Sequence, residues 1–325
     1  MQAWQVKEQG SEPVLVNIRP AAPVKGEIVV QVEAVGLNFA DTLAIQGKYQ
    51  VRHPFSYTPG MELSGVVLSL GPDTIGPAPG TRVLATCPAG ALARQVVLPA
   101  GRLVPIPDSM TFEEAAGFPI AYGTSHLALT HTARLRAGET LLVTGAAGGV
   151  GLTAVEIGKR LGARVIASAR GPDRLAVAKA AGADVLIDSD TPDLKAALRA
   201  EGGLDVVYDA VGGPGFDAAL RACRPEGRLL AIGFASGEVP QIPANLLLVK
   251  NLTVSGFWYG GFEAHAPALV AASLAKLLHW RAEGLIRPHV SHVLPFEAFP
   301  EGLDLIRNRK ATGKVVIRVG ADSEA

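Results

Sequence analysis

Hydrophobic positions divide the chain into stretches of different periodicity. Up to about residue 120, short β-branched runs at residues 27–35, 63–70 and 81–85 alternate with turn-forming pairs of glycine and proline. The turn pairs are Gly71-Pro72, Gly76-Pro77 and Pro79-Gly80. Short strands separated by such turns predict an antiparallel, partly open β-barrel.

From about residue 140 the pattern changes to apolar strands that alternate with helices. Six apolar runs predict buried parallel strands: residues 140–144, 164–168, 184–187, 205–208, 228–232 and 252–257. Between the first two, apolar residues recur at helical spacing from Val150 to Leu161, and Gly162 follows as a left-handed cap. This alternation predicts an α/β fold with a doubly wound parallel sheet.

The remaining chain predicts helices at about residues 267–283 and 296–309 and a last strand at residues 314–319. We expect this tail to return to the first domain, although a small third unit would have the same pattern. The predicted domains are therefore 1–122, 123–260 and 261–325. The uncharged run 115–133 is long enough to span a bilayer, but it contains Pro119, Gly123, His126 and His131. We interpret it as buried chain between the domains.

Composition removes several classes of partner. The 325 residues carry 30 basic and 30 acidic side chains, so the net charge of zero provides no attraction for nucleic acid or anionic lipid. Only Cys87 and Cys223 are present, too few for a disulfide framework, which favours a reducing compartment. Lys7 and Glu8 interrupt the region where a secretory peptide would be apolar. We expect a cytoplasmic protein with no nucleic-acid or membrane partner.

The strongest chemical signal is the run from Thr144 to Gly151, TGAAGGVG, between a predicted strand and a predicted helix. Small residues there let the backbone approach a pyrophosphate, whose charge is met by the amides at the helix start. The predicted contacts are Ala147, Gly148, Gly149 and Val150. The alternative is a tight turn without a ligand, but the strand–turn–helix context favours dinucleotide binding.

The end of the second strand of this fold indicates which dinucleotide is bound. NAD-binding proteins place a carboxylate there for the ribose 2′-hydroxyl, but this chain has Ala169, followed by Arg170 and Arg174. Planar guanidinium groups suit a 2′-phosphate, so the sequence predicts NADP. The alternative is a solvated pair of arginines, with Asp173 as a partner for one of them.

Several further motifs, together with the glycine run, carry a resemblance to a known family. They are Asn38-Phe39-Ala40-Asp41, Gly47-Lys48-Tyr49, Pro59-Gly60-Met61-Glu62, Asp209-Ala210-Val211-Gly212 and Ala311-Thr312-Gly313-Lys314. In these motifs the chain resembles, nearly end to end, the zinc-lacking quinone oxidoreductases of the medium-chain dehydrogenase/reductase superfamily, which include the ζ-crystallins. The resemblance implies a Rossmann domain with a doubly wound parallel sheet and a β-rich GroES-like, partly open barrel domain.

The resemblance also implies cofactor contacts. Phe39, Ala40, Asp41 and Thr124 would line the nicotinamide side, Val211, Gly233, Phe234, Ala235 and Phe257 would flank the cofactor at the sheet edge, and Arg174 and Arg309 would meet the adenosine phosphate. Two departures stand out: the family often has a tyrosine near Ser189, and Arg170 replaces a small residue. These departures from the family pattern favour a phosphate site built from arginines rather than one assisted by a tyrosine.

The family comparison also bears on metal. Zinc-using relatives carry cysteine where this chain has Asn38 and histidine where it has Met61, and Glu62 alone cannot hold a catalytic zinc, which takes three protein ligands. The four-cysteine structural lobe is missing as well. We expect no metal site.

Without a Lewis acid an alcohol is hard to oxidise, whereas a quinone or an enone accepts hydride directly and places negative charge on an oxygen. Tyr49 and Asn38 are the candidate catalytic donors to that oxygen, although Tyr49 could be an aromatic wall and Asn38 could cap a turn. His53, close to Tyr49 in the sequence, is the one histidine considered as a substrate contact. The alternative is a loop or surface residue, which we expect for most of the seven histidines. The expectation is an NADPH-dependent quinone reductase. The alternatives are an enoyl or other α,β-unsaturated carbonyl reductase and a catalytically weak cofactor-binding protein.

The last apolar strand of the parallel sheet, residues 252–257, bears on assembly. As an edge strand it would expose unpaired backbone groups unless another edge covers it. We therefore expect a homodimer.

Overall fold

A computed structural model describes residues 1–320. Residues 321–325, the end of the predicted third stretch, lie outside the described residues. The chain divides into two compact units, one formed by Met1–Ile120 with the chain from Pro288 onward, the other by Ala121–Arg287. The predicted boundary at 260 differs from this division, because residues 261–287 pack within the second unit: His126 bonds to Ser273 at 2.7 Å.

The first segment of the first unit is rich in strands. Its elements are β1 Gln2–Gln5, β2 Val14–Asn17, β3 Glu27–Leu37, α1 Phe39–Ile45, β4 Glu62–Leu70, β5 Arg82–Thr86, β6 Gln95–Pro99, a 3₁₀ turn at Ala100–Arg102, β7 Leu103–Pro105 and α2 Phe112–Ala116. Every strand pair within this segment is antiparallel, as the turn spacing predicts. The long strand β3 is the hub, since β4 pairs along it and β6 pairs with its first half.

Helix α3, Pro119–Leu127, begins in the first unit and continues into the second, and a π-helical segment, Ala128–Thr132, follows it. These elements cover most of the uncharged run 115–133, and most of its residues are buried. Within residues 1–320 no helix is both long enough and apolar enough to cross a membrane.

The second unit contains the predicted parallel sheet. Its elements are β8 Thr140–Thr144, α4 Gly149–Arg160, β9 Arg164–Ala169, α5 Pro172–Ala180, β10 Val185–Asp188, α6 Leu194–Ala200, β11 Leu204–Asp209, α7 Gly213–Ala222, β12 Cys223–Ala231, α8 Ala244–Lys250, β13 Thr253–Gly256, α9 Tyr259–His265 and α10 Pro267–Ala282. The order of the strands is β10-β9-β8-β11-β12-β13, and all neighbours are parallel. Gly162 follows α4 with a φ of 82°, as expected for a left-handed cap.

All six predicted strands of this sheet are present. The largest difference is in β12, which begins at Cys223 rather than at residue 228. Its pairing with β11 shifts register between Leu204 and Val206, so the extra residues belong to an irregular start that the hydrophobic pattern does not show. The fold is the Rossmann type, with the order of strands reversing between β8 and β11.

The tail consists of β14 Val290–Pro295, a 3₁₀ turn at Phe296–Ala298, α11 Phe299–Arg307 and β15 Lys314–Arg318. Strand β15 pairs antiparallel with β3, placing Val316 opposite Gly36, and β14 pairs parallel with β15. The tail thus completes a seven-stranded sheet in the first unit, around a core that includes Phe296 and Phe299.

Candidate active site

The glycine run forms a tight turn between β8 and the start of α4. A Cβ atom on Gly151 would lie 2.1 Å from the carbonyl oxygen of Gly145, so no larger residue fits there. Gly148 precedes the first residue of α4 and supplies no side-chain cap. The first N–H groups of the helix, from Gly149 onward, therefore have no acceptor within the helix and can receive an anion. This cradle fits a pyrophosphate.

The switch point of the sheet lies beside this cradle. Gly145 follows β8 and Val211 follows β11; a Cβ on Gly145 would be 3.0 Å from Cγ2 of Val211. The loop after β12 joins them, because Ala235 donates its N–H to the carbonyl of Ala210 at 3.2 Å. Ligands of open α/β sheets bind at such a point, beyond the carboxyl ends of the strands.

Most of the predicted cofactor residues meet at this edge of the second unit. The strand ends and the loops beyond them supply Ala147, Gly148, Gly149, Val150, Ala169, Arg170, Val211, Gly233, Phe234, Ala235 and Phe257. Arg174 lies on α5, the helix that begins at Pro172. Thr124 is buried on α3, and its neighbour Ser125 fixes that helix through a 2.7 Å hydrogen bond to Thr153 on α4.

Asp209, at the end of β11, organises this edge although sequence reasoning gave it no role. It is fully buried; its Oδ1 accepts from the Thr144 hydroxyl, and its Oδ2 accepts from the N–H of Gly212 at 2.8 Å. Burial raises the pKa of its carboxyl, and these hydrogen bonds oppose the rise. Asp209 thereby holds the end of β8 and the loop carrying Val211 in fixed positions. An acidic residue ending an apolar strand was the available signal.

Both signs of charge are present at the end of β9, where the sequence predicts a contact with the adenosine phosphate. Arg170 follows β9, and its Nε lies 3.2 Å from Oδ2 of Asp190. Asp190 comes from the chain just after β10, whereas the sequence argument considered only the end of β9 and named Asp173 as the alternative partner. Arg309, in the first unit, lies just beyond α11 and has a φ of 53°.

In the first unit a buried lysine forms the centre of a polar network. Lys314 Nζ donates three hydrogen bonds of 2.7 Å, to the carbonyl of Leu37, to Oδ1 of Asn38 and to Oε1 of Glu62. The side chain of Lys314 is 8% exposed and that of Glu62 is not exposed at all. All three donors of the ammonium group are therefore satisfied inside the protein.

Glu62 extends the network to α3. Its Oε2 accepts from the N–H of Ile120 at 3.0 Å, and its Oε1 also accepts from the Asn38 amide at 2.9 Å. The side chains pack closely here, because a Cβ on Gly36 would lie 2.8 Å from Glu62 Oε1 and 2.3 Å from the carbonyl of Ala116. From the sequence, Lys314 was identified only as the last residue of the motif Ala311-Thr312-Gly313-Lys314 and was given no role. Its position at the start of a buried strand, where a lysine needs a partner, was the signal.

Both the oxygen and the nitrogen of the Asn38 side-chain amide take part in this network. The amide oxygen accepts from Lys314, and the amide nitrogen donates to Glu62 and, at 3.4 Å, to the carbonyl of Gly36. Asn38 occupies the N-cap position of α1, but these contacts direct its amide toward β4 and β15. An amide held in this way is positioned by the protein interior.

Asp41, on α1, is 1% exposed. Its Oδ2 accepts from the backbone N–H of Asn38 at 2.8 Å, while its Oδ1 has no hydrogen-bond partner among residues 1–320. Burial raises the pKa of this carboxyl to about 7, which is more than the Asn38 N–H and the Lys314 charge offset. Phe39 and Ala40 precede it on the same helix, and Phe39 is 37% exposed.

The loop after α1 carries the other predicted catalytic residue, Tyr49, which is half-buried. Further along the loop, the ring of His53 stacks on that of Tyr57 with 4.9 Å between centroids. Burial lowers the pKa of His53 and, with the nearby charge of Asp41, raises that of Tyr57 to about 12. The Tyr57 hydroxyl is buried and has no partner in the described part of the chain. The His53 ring therefore packs against an aromatic side chain of the same loop.

The first unit offers a poor environment for zinc. Met61 is buried, and the Lys314 ammonium lies 2.7 Å from both Asn38 Oδ1 and Glu62 Oε1, so a dication there would meet a fixed positive charge. In the described chain no three His, Cys, Asp or Glu side chains form a group that could hold a metal ion. The residues at the former ligand positions do not fit zinc.

Two protein families match the two halves of this architecture. Residues 24–108 match the family described as alcohol dehydrogenase GroES-like domain, and residues 149–275 match the family described as zinc-binding dehydrogenase. Together these define a medium-chain dehydrogenase/reductase with a GroES-like domain and a Rossmann domain.

Individual relatives narrow the class. The chain is 39% identical over 306 residues to quinone oxidoreductase-like protein 2 of Bos taurus, covering 93% of this chain and 87% of the relative. The quinone oxidoreductase of Thermus thermophilus, whose structure was also solved with NADPH, is 37% identical, with a TM-score of 0.87 and coverage of 98% and 100%. The Escherichia coli quinone oxidoreductase complexed with NADPH is 25% identical, with a TM-score of 0.91 and coverage of 98% and 100%. The chain belongs to the zinc-lacking quinone oxidoreductases of the medium-chain dehydrogenase/reductase superfamily.

Proposed function

We propose that this chain is an NADPH-dependent quinone reductase that works without zinc. The observation that carries the proposal is the Lys314 ammonium bound to Asn38 and Glu62, which occupies the surroundings that a Lewis acid would need. When bound, NADPH supplies hydride. An acceptor that needs no metal activation is then required, and a quinone meets this condition because its carbonyls are conjugated.

Donors on the first unit would stabilise the negative charge that hydride transfer places on the acceptor oxygen. Tyr49 and Asn38 are the two predicted donors, and both ends of the Asn38 amide bond to neighbours inside the first unit. We propose Tyr49 as the hydroxyl donor to the acceptor oxygen and Asn38 as a residue whose orientation Lys314 and Glu62 fix.

The second unit would hold the cofactor. Three features support this part of the proposal. No side chain larger than that of glycine fits at position 151, and the N–H groups at the start of α4 have no acceptor within the helix. Val211 and residues 233–235 lie at the switch point of the sheet. The relatives solved with NADPH support the choice of NADP. The roles of Phe39, Ala40, Asp41 and Arg309 in the first unit, and of Thr124 and Arg174 in the second, remain predictions of the resemblance.

The test is consumption of NADPH, followed by its absorbance, with a benzoquinone, with an α,β-unsaturated ketone and with no acceptor. Rapid consumption with the quinone is the expected result. Consumption with the enone alone would replace the proposal by an enone reductase, which uses the same hydride donor on a C=C bond. A protein that binds NADPH but consumes none with either acceptor would be a cofactor-binding protein.

The partner we propose is a small molecule, together with a second copy of the chain that pairs along the β13 edge of the parallel sheet. The net charge of zero provides no general attraction for nucleic acid. Cys87 and Cys223 are both buried. Two cysteines are too few for a disulfide framework, which suits a reducing compartment, and we propose the cytoplasm.

A further inference from the structure

An exposed ion pair lies where the adenosine ribose of a dinucleotide is recognised in Rossmann folds, at the end of the second strand. Arg170 Nε and Asp190 Oδ2 are 3.2 Å apart, and the two side chains are 60% and 62% exposed. A ligand can therefore reach both groups and can separate them.

The backbone brings the two residues together. Ala169 at the end of β9 is in register with Asp188 at the end of β10. The Asp188 carboxylate accepts from the N–H of Gly171 at 3.2 Å and from the N–H of Asp190 at 3.0 Å. One carboxylate thus fixes the loops on both sides, so the meeting of Arg170 and Asp190 follows from the sheet register.

The two side chains favour different cofactors. A guanidinium group donates planar, charge-assisted hydrogen bonds to a 2′-phosphate, whereas a carboxylate accepts from a 2′-hydroxyl and repels a phosphate. To bind the phosphate of NADPH, Arg170 must leave Asp190 or share its donors with it. Binding the 2′-hydroxyl of NADH does not require Arg170 to leave Asp190.

We propose that Asp190 is a specificity-determining residue that limits the preference for NADPH over NADH by holding Arg170. The inference rests on the cofactor part of the proposed function and is independent of the acceptor. It assigns the NADPH preference to a balance between one arginine and the carboxylate that neutralises it.

The test is the dissociation constant of NADPH and of NADH, each measured by cofactor fluorescence without any acceptor, for the unmodified protein and for Asp190→Asn. Exposed ion pairs are worth up to about 1 kcal/mol, which corresponds to about fivefold in affinity. We expect NADPH to bind about fivefold more tightly to the variant and NADH to bind no more tightly than before. High salt should reduce the gain, because it screens exposed charges.

Asp217→Asn is the matched control, since it removes the same charge from another exposed arginine pair, with Arg221 on α7 at 2.8 Å. It should leave the ratio of the two constants unchanged. Because Asp190 acts through Arg170, Asp190→Asn should have little effect on that ratio in an Arg170→Ala background.

An unchanged ratio in Asp190→Asn would overturn the inference, as would an equal change in the presence and absence of Arg170. Either result would leave quinone reduction intact. Conversely, failure of the quinone assay would leave these binding constants, and the inference drawn from them, unaffected.

Discussion

Lys314 Nζ and Glu62 Oε1 lie 2.7 Å apart in the interior of the first unit, although 252 residues separate them in the chain. Through them the start of β15 is joined to the start of β4, to Asn38 before α1 and to the N–H of Ile120 in α3. A single ion pair therefore connects four segments around the predicted catalytic residues.

Lys314→Met should destabilise the protein by about 3–5 kcal/mol, since removing one partner of a buried pair leaves the other charge uncompensated. Urea unfolding measures the loss. Lys25→Met is the control, because Lys25 is 75% exposed and lies 3.9 Å from Asp73; that pair is worth at most about 1 kcal/mol. The double variant Lys314→Met, Glu62→Gln should recover part of the loss. A cost for Lys314→Met as small as that of the control would refute a structural role for the pair.

Asp41 predicts a pH dependence of stability. Burial raises its pKa to about 7 in the folded protein, whereas an unfolded Asp titrates near 3.9. Between these values the folded state keeps a proton that the unfolded state has released. This contribution to stability is therefore full below about pH 4, falls as the pH rises and is lost above about pH 7.

Asp41→Asn should remove this slope. Between pH 5 and 7 the unmodified protein should lose on the order of 2–3 kcal/mol relative to the variant, because each pKa unit is worth 1.36 kcal/mol. Denaturant unfolding at several pH values provides the comparison. Asp73→Asn, at a side chain that is 84% exposed, should keep the slope of the unmodified protein. Parallel pH profiles for all three proteins would show that Asp41 is charged throughout.

Tyr49→Phe should slow quinone reduction about tenfold, or about 1.4 kcal/mol, if its hydroxyl stabilises the developing oxyanion. The loss should fall on kcat more than on KM, since the negative charge develops in the transition state. Tyr57→Phe is a matched control on the same loop: its hydroxyl is buried and has no partner in residues 1–320. Unchanged turnover in Tyr49→Phe would show that the Tyr49 hydroxyl has no catalytic role and that the ring only lines the site.

The purified protein should contain only substoichiometric zinc and should keep its activity in a chelator, because Asn38 and Met61 stand at the former ligand positions beside the Lys314 ammonium. Elemental analysis decides this. One zinc per chain, with activity lost on its removal, would overturn the proposed mechanism.

The edge strand β13 predicts a homodimer, and light scattering should give twice the mass of the chain. Leu248 and Val249 on the preceding helix α8 are 78% and 72% exposed, which adds apolar surface beside the edge. Thr253→Lys places a charge at an exposed position of β13 and should weaken the dimer. A monomer at micromolar concentration would rule the dimer out.

The sequence by itself determined the parallel sheet and its glycine turn. Hydrophobic periodicity and turn residues act over a few neighbours, so the six strands, α4 and the cap at Gly162 are visible without tertiary contacts. The placing of Asn38 and Met61 at the positions of zinc ligands comes from the resemblance to the family and not from such a pattern. The irregular start of β12 depends on pairing with β11, so hydrophobic periodicity does not predict it.

Only the tertiary structure decided which polar groups meet. Lys314 reaches Glu62 because β15 pairs with β3 and β3 pairs with β4, and Arg170 meets Asp190 because β9 and β10 are in register. Both pairs depend on the register between strands, which no local pattern of residues encodes. The buried ammonium of Lys314 needs a partner, and the register places Glu62 within its reach.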